Sequence, residues 1–298
     1  MSAAELATMF HIYFLGSSEG LVFDVTNANF DVSLWNPLQR YLTERGVRFH
    51  TGTEVLQVGP SRTKEFCVDT DSGENLDAHA VVLATDVTGL QRIVANSPNL
   101  GGEQWRHRIA RLRAAAPFVV QRIWLDTPVR RDRPAFLGTA GHKPLDHISV
   151  LERYESEAAT WATHHRGSVV EMHAYAISSD LPRAAVTQCL HQLYPETASA
   201  RVVYERTLQR RDCALFAPGT FGSRPTVSTP HPNLVLAGDG IRIDLPVALM
   251  ERAATTGWSA ANELLKRWGL AGHPLCSVPN QGRSALLRSL ATRASGPR

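Results

Sequence analysis

Residues 233–265 read NLVLAGDGIRIDLPVALMERAATTGWSAANELL. An apolar run from Leu234 to Ala237 predicts a strand that delivers Gly238 and Asp239 to a loop at the carboxyl edge of a sheet, where open α/β folds bind cofactors. A glycine there lets backbone approach a ligand closely, and an aspartate accepts hydrogen bonds from hydroxyls. A helix is predicted from about Pro246 to Trp268, since proline suits a first helical turn. Its apolar stripe would be Met250, Ala254, Gly257, Ala261, Leu264 and Trp268. Small residues at Ala253, Ala254, Gly257, Ala260 and Ala261 would allow close packing, and the exposed N–H groups of the first turn would favour negative charge at the tip. On spacing alone, the same stretch is equally a strand–loop–helix unit of any α/β protein.

Upstream, NPLQRYLTER at 36–45 predicts an amphipathic helix stopped by Gly46. VRFHTGTEVLQV at 47–58 predicts a strand, a glycine turn and a second strand. Phe66 to Thr70 is strand-like, Asp71-Ser72-Gly73 a turn, and Ala80 to Leu83 a short apolar run that suits a buried parallel strand. The middle changes character. PFVVQRIWLD at 117–126, DHISVLERY at 146–154 and GSVVEMHAYA at 167–176 predict neighbouring antiparallel strands, followed by a helix over 182–193. Alternation in the third strand puts Glu171, His173 and Tyr175 on one face, with Val170, Met172 and Ala174 on the other. Asp146, His147 and Glu152 fall in the neighbouring strand. A Glu and a His on one sheet face could exchange protons with a substrate; the plainer reading is an exposed face or a satisfied polar pair.

At 298 residues, with 43% hydrophobic and 20% charged residues, the chain is of ordinary globular composition. The net charge is +3, and the 269–298 tail alone holds Arg283, Arg288, Arg293 and Arg298 with no acid. That leaves 27 basic (31 less 4) against 28 acidic residues elsewhere, so a nucleic-acid partner is not expected. Cys67, Cys189, Cys213 and Cys276 form no C-x-x-C pair, and the twelve histidines show no ligand spacing, so no metal is expected. No G-x-S-x-G or P-loop appears. The apolar stretch Met9 to Leu15 is too short to span a bilayer. These features fit a cytoplasmic protein whose membrane contact, where there is any, is peripheral at the inner face.

Taken together, "LAGD" at 236–239 and the P-x-x-x-M-E-x-A-x-x-x-G pattern from Pro246 to Gly257 resemble the C-terminal FAD motif of the amine-oxidase and phytoene-desaturase superfamily. By that resemblance, Gly238 and Asp239 would contact the ribityl or pyrophosphate portion of FAD. The backbone of Val247, Ala248 and Leu249 would face the isoalloxazine, and Glu251 would be a helix-end ion-pair partner rather than a catalyst. TGTEVLQV and AHAVVLAT look like the internal FAD-binding stretch of the same superfamily, which would put Val55 beside the adenine and Ala84 and Thr85 along the dinucleotide. LERYESEAATW, GSVVEMHAYA, LPVALMERAATTGW and HPLCSVPNQGR further resemble carotenoid desaturases of the isorenieratene-synthase type.

The resemblance implies an α/β (α+β mixed) fold in two parts. A Rossmann-like FAD-binding portion would occupy 47–96 and 225–268, and an antiparallel-sheet substrate domain 1–46 and 97–224, with 269–298 a basic, partly flexible tail. It also implies an FAD-dependent oxidoreductase that moves hydride from an apolar isoprenoid or carotenoid-like substrate to flavin, with Glu171 and His173 as the candidate catalytic pair. The family's N-terminal G-x-G-x-x-G unit has no counterpart here; Gly219/Gly222 and Gly238/Gly240 lack the spacing. A separate N-terminal FAD-binding polypeptide is therefore an expected partner. Two other readings stay open: an amine oxidase of the same superfamily, and a truncated, inactive product or subunit.

Overall fold

The computed structural model describes residues 2–15, 24–178, 180–278 and 284–294. In chain order the helices are α1 (Ala3–Phe10), α2 (Asn36–Thr43), α3 (Val87–Asn96), α4 (Glu103–Ala110), α5 (Ser156–His165), α6 (Arg183–Leu193), α7 (Leu249–Arg267) and α8 (Ala285–Ala294). The strands are β1 (Val55–Pro60), β2 (Phe66–Thr70), β3 (Asn75–Ala78), β4 (Val81–Leu83), β5 (Phe118–Leu125), β6 (Phe136–Gly138), β7 (His147–Val150), β8 (Ser168–Ala174), β9 (Val202–Arg210) and β10 (Leu234–Leu236). Residues 279–283 of the quoted tail motif, including Arg283, lie outside the described residues, as does Arg298.

Two compact units result, one of Met1–Phe23, Gly52–Ala114 and Cys213–Arg298, the other of Asp24–Thr51 and Ala115–Asp212. In the first unit, β1, β2 and β3 form an antiparallel meander. β10 and β4 pair in parallel, with Leu234, Val235 and Leu236 opposite Val81, Val82 and Leu83. Residues from these strands, α3, α4 and α7 share one core that includes Leu83, Leu90, Ile93, Trp105, Ile109, Leu234, Leu236 and Leu264. Leu234 and Leu236 are fully buried, each worth about 1.5–3 kcal/mol of transfer free energy.

The second unit is built on a five-stranded antiparallel sheet of order β6-β7-β8-β5-β9. Strict alternation along β5 buries Val119, Gln121, Ile123 and Leu125. Val119, Ile123 and Leu125 join Ile148, Val150, Val170, Met172 and Ala174 in a core closed by Val186 and Leu190 of α6. The opposite face carries Arg122, Glu171 and His173, all half-buried.

The mixed fold with parallel and antiparallel parts agrees with the sequence expectation, and several details do not. Residues 47–50 are irregular rather than a strand, because no partner strand meets them. α7 begins at Leu249, so Pro246 lies in the preceding loop instead of the first turn. Its buried stripe is Arg252, Thr256, Ala260 and Leu264, whereas Met250 is 80% exposed and Trp268 also stands out in solvent. The expected stripe was thus displaced around the helix, since Arg252 turns inward to Glu5 and to the Val247 and Asp239 carbonyls. The unit boundaries also differ from those expected. α1 and residues 97–114 and 213–224 belong to the unit that holds the 233–265 stretch, while 47–51 belong with the five-stranded sheet. In the tail, the short turn expected near Leu286–Leu290 is the longer helix α8.

Candidate functional site

The edge of the β4–β10 pair is built chiefly from backbone. The Ala237 N–H donates to the Leu83 carbonyl at 3.0 Å, so both chains leave the sheet together, one into Ala84-Thr85 and α3, the other into Gly238-Asp239. Gly238 has φ +133°, and a Cβ built on it would stand 3.4 Å from the Thr85 carbonyl. Asp86 caps α3 by accepting from the Gly89 N–H at 2.6 Å. Ala84 and Thr85 are exposed and Gly238 and Asp239 half-buried, so solvent reaches this edge.

Two side chains of α7 hold the 238–247 loop. The Thr256 hydroxyl accepts from the Gly238 N–H at 2.9 Å and donates within its own helix to the Arg252 carbonyl at 2.8 Å. Arg252 donates through Nε and Nη2 to the Val247 carbonyl at 3.2 and 3.0 Å, and through Nη1 to the Asp239 carbonyl at 3.4 Å. Val247 and Ala248 are buried, and Leu249 opens the helix with φ +52°. A branched side chain in the left-handed region stores about 1–3 kcal/mol of strain, a feature that concentrates at functional sites. A cavity of about 360 Å³ lies against these first turns, walled in part by Val247, Glu251, Trp258 and Leu275. Glu251 forms no ion pair among the described residues, so the expected helix-end partnership is absent there.

Val55, expected beside an adenine, begins β1 in the separate meander and packs partly against the core of the first unit. Ala84, Thr85, Gly238 and Asp239 are brought to one edge; Val247, Ala248 and Leu249 lead into the tip of α7.

In the second unit the candidate polar residues form a bonded row. Glu171 sits directly opposite Arg122 across β8 and β5, with Arg122 Nε and Nη2 2.8 and 2.7 Å from Oε2. Its other oxygen faces His173 Nε2 at 2.9 Å, and His173 Nδ1 lies 2.8 Å from the Tyr175 hydroxyl. His147, opposite His173 in β7, stacks on it at 3.8 Å between ring centres, with Phe136 beyond at 4.9 Å. Burial would raise the Glu171 carboxyl, but the bonds from His173 and Arg122 outweigh it and hold the pKa at about 2. Burial, reinforced by the neighbouring His173, lowers His147 to about 4. Glu171 is therefore a carboxylate at neutral pH and acts as an acceptor that orients His173, not as a proton donor.

Asp146 accepts from the Tyr175 N–H at 2.6 Å and pairs with Lys143 at 3.0 Å. Glu152 lies beyond the end of β7, in a 3₁₀ turn, and binds Ser168 and the Val169 N–H at the start of β8. Both serve the sheet. Arg122 was not expected; its outward position in β5 is legible from alternation, but only the strand register brings it to Glu171. Among the described residues no three His, Cys, Asp or Glu side chains are grouped to hold a metal, and no helix is long and apolar enough to cross a membrane.

Comparison with known proteins adds the family. The chain is 54% identical over 99% of its length to a carotenoid phi-ring synthase of Streptomyces griseus, and 33% identical over 77% to one of Chlorobaculum tepidum. It spans only 57% and 36% of those two proteins. An oxidoreductase of Methanosarcina mazei (TM-score 0.54, 16% identity, covering 76% of this chain and 53% of that one) shares the fold. So does a protein of Pyrococcus furiosus (TM-score 0.52, 12% identity, covering 80% and 52%). Residues 3–265 match the model of the flavin-containing amine oxidoreductases, and the chain belongs to that family.

Proposed function

We propose that the chain is the flavin- and substrate-side portion of an FAD-dependent oxidoreductase acting on a carotenoid or similar apolar isoprenoid. One observation carries the cofactor assignment. The parallel β4–β10 pair puts Gly238-Asp239 and Ala84-Thr85 on one open edge, where Gly238 leaves room that a side chain would fill. The groups there suit a dinucleotide: glycine and small residues that let it approach the main chain closely, and the Asp239 carboxylate for ribityl or ribose hydroxyls. Val247, Ala248 and the strained Leu249 suit the ring system, with the α7 tip favouring negative charge on it. FAD, when bound, supplies hydride acceptance. The protein's part is to hold and orient, and in the second unit to keep His173 between Glu171 and the Tyr175 hydroxyl, a hydrogen-bonded row along which a proton can pass. The phi-ring synthase names of the two relatives favour a carotenoid over an amine as substrate.

The test is flavin retention after equilibration with FAD. Asp239→Ala removes a charge-assisted hydrogen bond worth about 1.5–3 kcal/mol, so affinity should fall about ten- to hundredfold. Glu171→Gln should leave flavin content unchanged while lowering turnover. Full flavin in Asp239→Ala together with its loss in Glu171→Gln would reverse the two assignments.

A further inference from the structure

A concentration of positive charge in the first unit is not used by the flavin reading. Arg108, Arg111 and Arg113 line a cavity of about 480 Å³ together with Arg224, and no carboxylate is among the residues that wall it. The first three are exposed and enter no ion pair among the described residues. Arg108 and Arg111 stand at the carboxyl end of α4, where the helix dipole by itself accounts for a cation. It does not account for Arg113 or Arg224.

Arg224 is 4% exposed. Its neighbour Arg252 is also buried, and the two guanidinium groups share one carboxylate, that of Glu5. Burial and the nearby Arg224 charge both lower the Arg252 pKa, which registers the crowding of like charge. Nε and Nη1 of Arg224 are buried without a hydrogen-bond partner among the described residues, and the guanidinium lies over the rings of Phe216 and Phe221 at 4.9 and 5.2 Å. The single Glu5 carboxylate between two guanidinium groups leaves net positive charge beside the cavity, and an anion there offsets it. The Thr220 and Ser223 hydroxyls in the wall already donate to the carbonyls of Ala217 and Thr220, so recognition falls to the arginines.

We propose that this cavity is a binding site for a diphosphate group, free or carried by a larger molecule, separate from the β4–β10 edge. Guanidinium forks match phosphoryl oxygens in shape and charge. Several of them around one cavity suit a group with more than one phosphoryl unit better than a single carboxylate.

The experiment is calorimetric titration of the purified full chain with inorganic pyrophosphate, wild type against an Arg111→Ser/Arg113→Ser variant that leaves the buried Arg224 in place. Circular dichroism of the variant confirms that it is folded. Saturable binding that weakens at least tenfold in the variant, and with added salt, is expected. Co-sedimentation with phosphatidylglycerol/phosphatidylcholine vesicles separates the sources. Sedimentation reversed by pyrophosphate supports the site with a lipid headgroup as ligand, and pyrophosphate binding without sedimentation supports it with a soluble ester. Absence of saturable binding at millimolar pyrophosphate, or binding indifferent to the double substitution, overturns the proposal. Displacement of pyrophosphate by FAD also overturns it, because the cavity would then be part of the dinucleotide site.

Discussion

At the β4–β10 edge, the groups offered to a ligand are main-chain atoms and small side chains, kept in place from behind by Arg252 and Thr256. On the polar face of the five-stranded sheet the order is reversed. The backbone is a regular ladder, and the chemistry lies in a row of side chains, Arg122, Glu171, His173 and Tyr175, that bond to one another. A backbone-built site depends on conformation and is written in glycines and small residues, so it leaves a compact motif in the chain. A side-chain network depends on register between distant strands, and no single stretch of sequence contains it.

The largest effects are expected at two glycines. A Cβ on Gly167 would stand 1.9 Å from the Leu125 carbonyl, inside the β5–β8 junction. Gly167→Ala should therefore cost about 3 kcal/mol or more in urea unfolding. Gly238→Ala meets only ordinary contact but must hold φ +133°, and should cost about 1–3 kcal/mol. If Gly238→Ala is the more damaging, the first site is the more tightly built of the two.

The next test is the side-chain row. Arg122→Ala strands the half-buried Glu171 carboxylate, whose side chain is 16% exposed against 32% for Arg122. Allowing for that partial exposure, denaturant unfolding should show a loss of about 2–3 kcal/mol. The double variant Arg122→Met/Glu171→Gln should recover much of it. A loss below about 0.5 kcal/mol would reduce the row to a solvated surface.

His147 is held neutral with a pKa of about 4 against 6.5 for an unperturbed histidine, so the unfolded chain takes up its proton first. Stability from this group is complete above pH 6.5 and is lost as pH falls towards 4, by about 2–3 kcal/mol. Thermal melts across that window should flatten in His147→Phe. A smaller slope should remain, because burial also lowers His191. An unchanged slope would remove His147 as its source.

The smallest effect is expected at Met250→Ala. The residue is 80% exposed, so a change within about 0.5 kcal/mol should be seen by calorimetry. Anything larger would restore the helix phase first read from the sequence.

That phase error shows where the sequence was silent. The strand from Leu234, the loop at Gly238 and the helix after it follow from local chemistry, and so does the alternation that groups Glu171 with His173. The burial of Arg252 could not be read, because an arginine is apolar-facing only when distant groups, here Glu5 and two loop carbonyls, await it. β9 was missed because nearly all of its residues are exposed, so it lacks the apolar alternation that marks a strand; pairing with β5 defines it. Residues 47–50 show the converse, a β-prone run that finds no partner.

The bond between Glu5 and Arg252 spans 247 residues, and that span has a meaning in time. During synthesis at about 5–20 residues per second, α1 would wait about 10–50 s for its second arginine to be made. The whole five-stranded sheet is translated within that interval. A nascent chain arrested near residue 212 should therefore already protect β5 and β8 from proteolysis, while α1 remains open to cleavage.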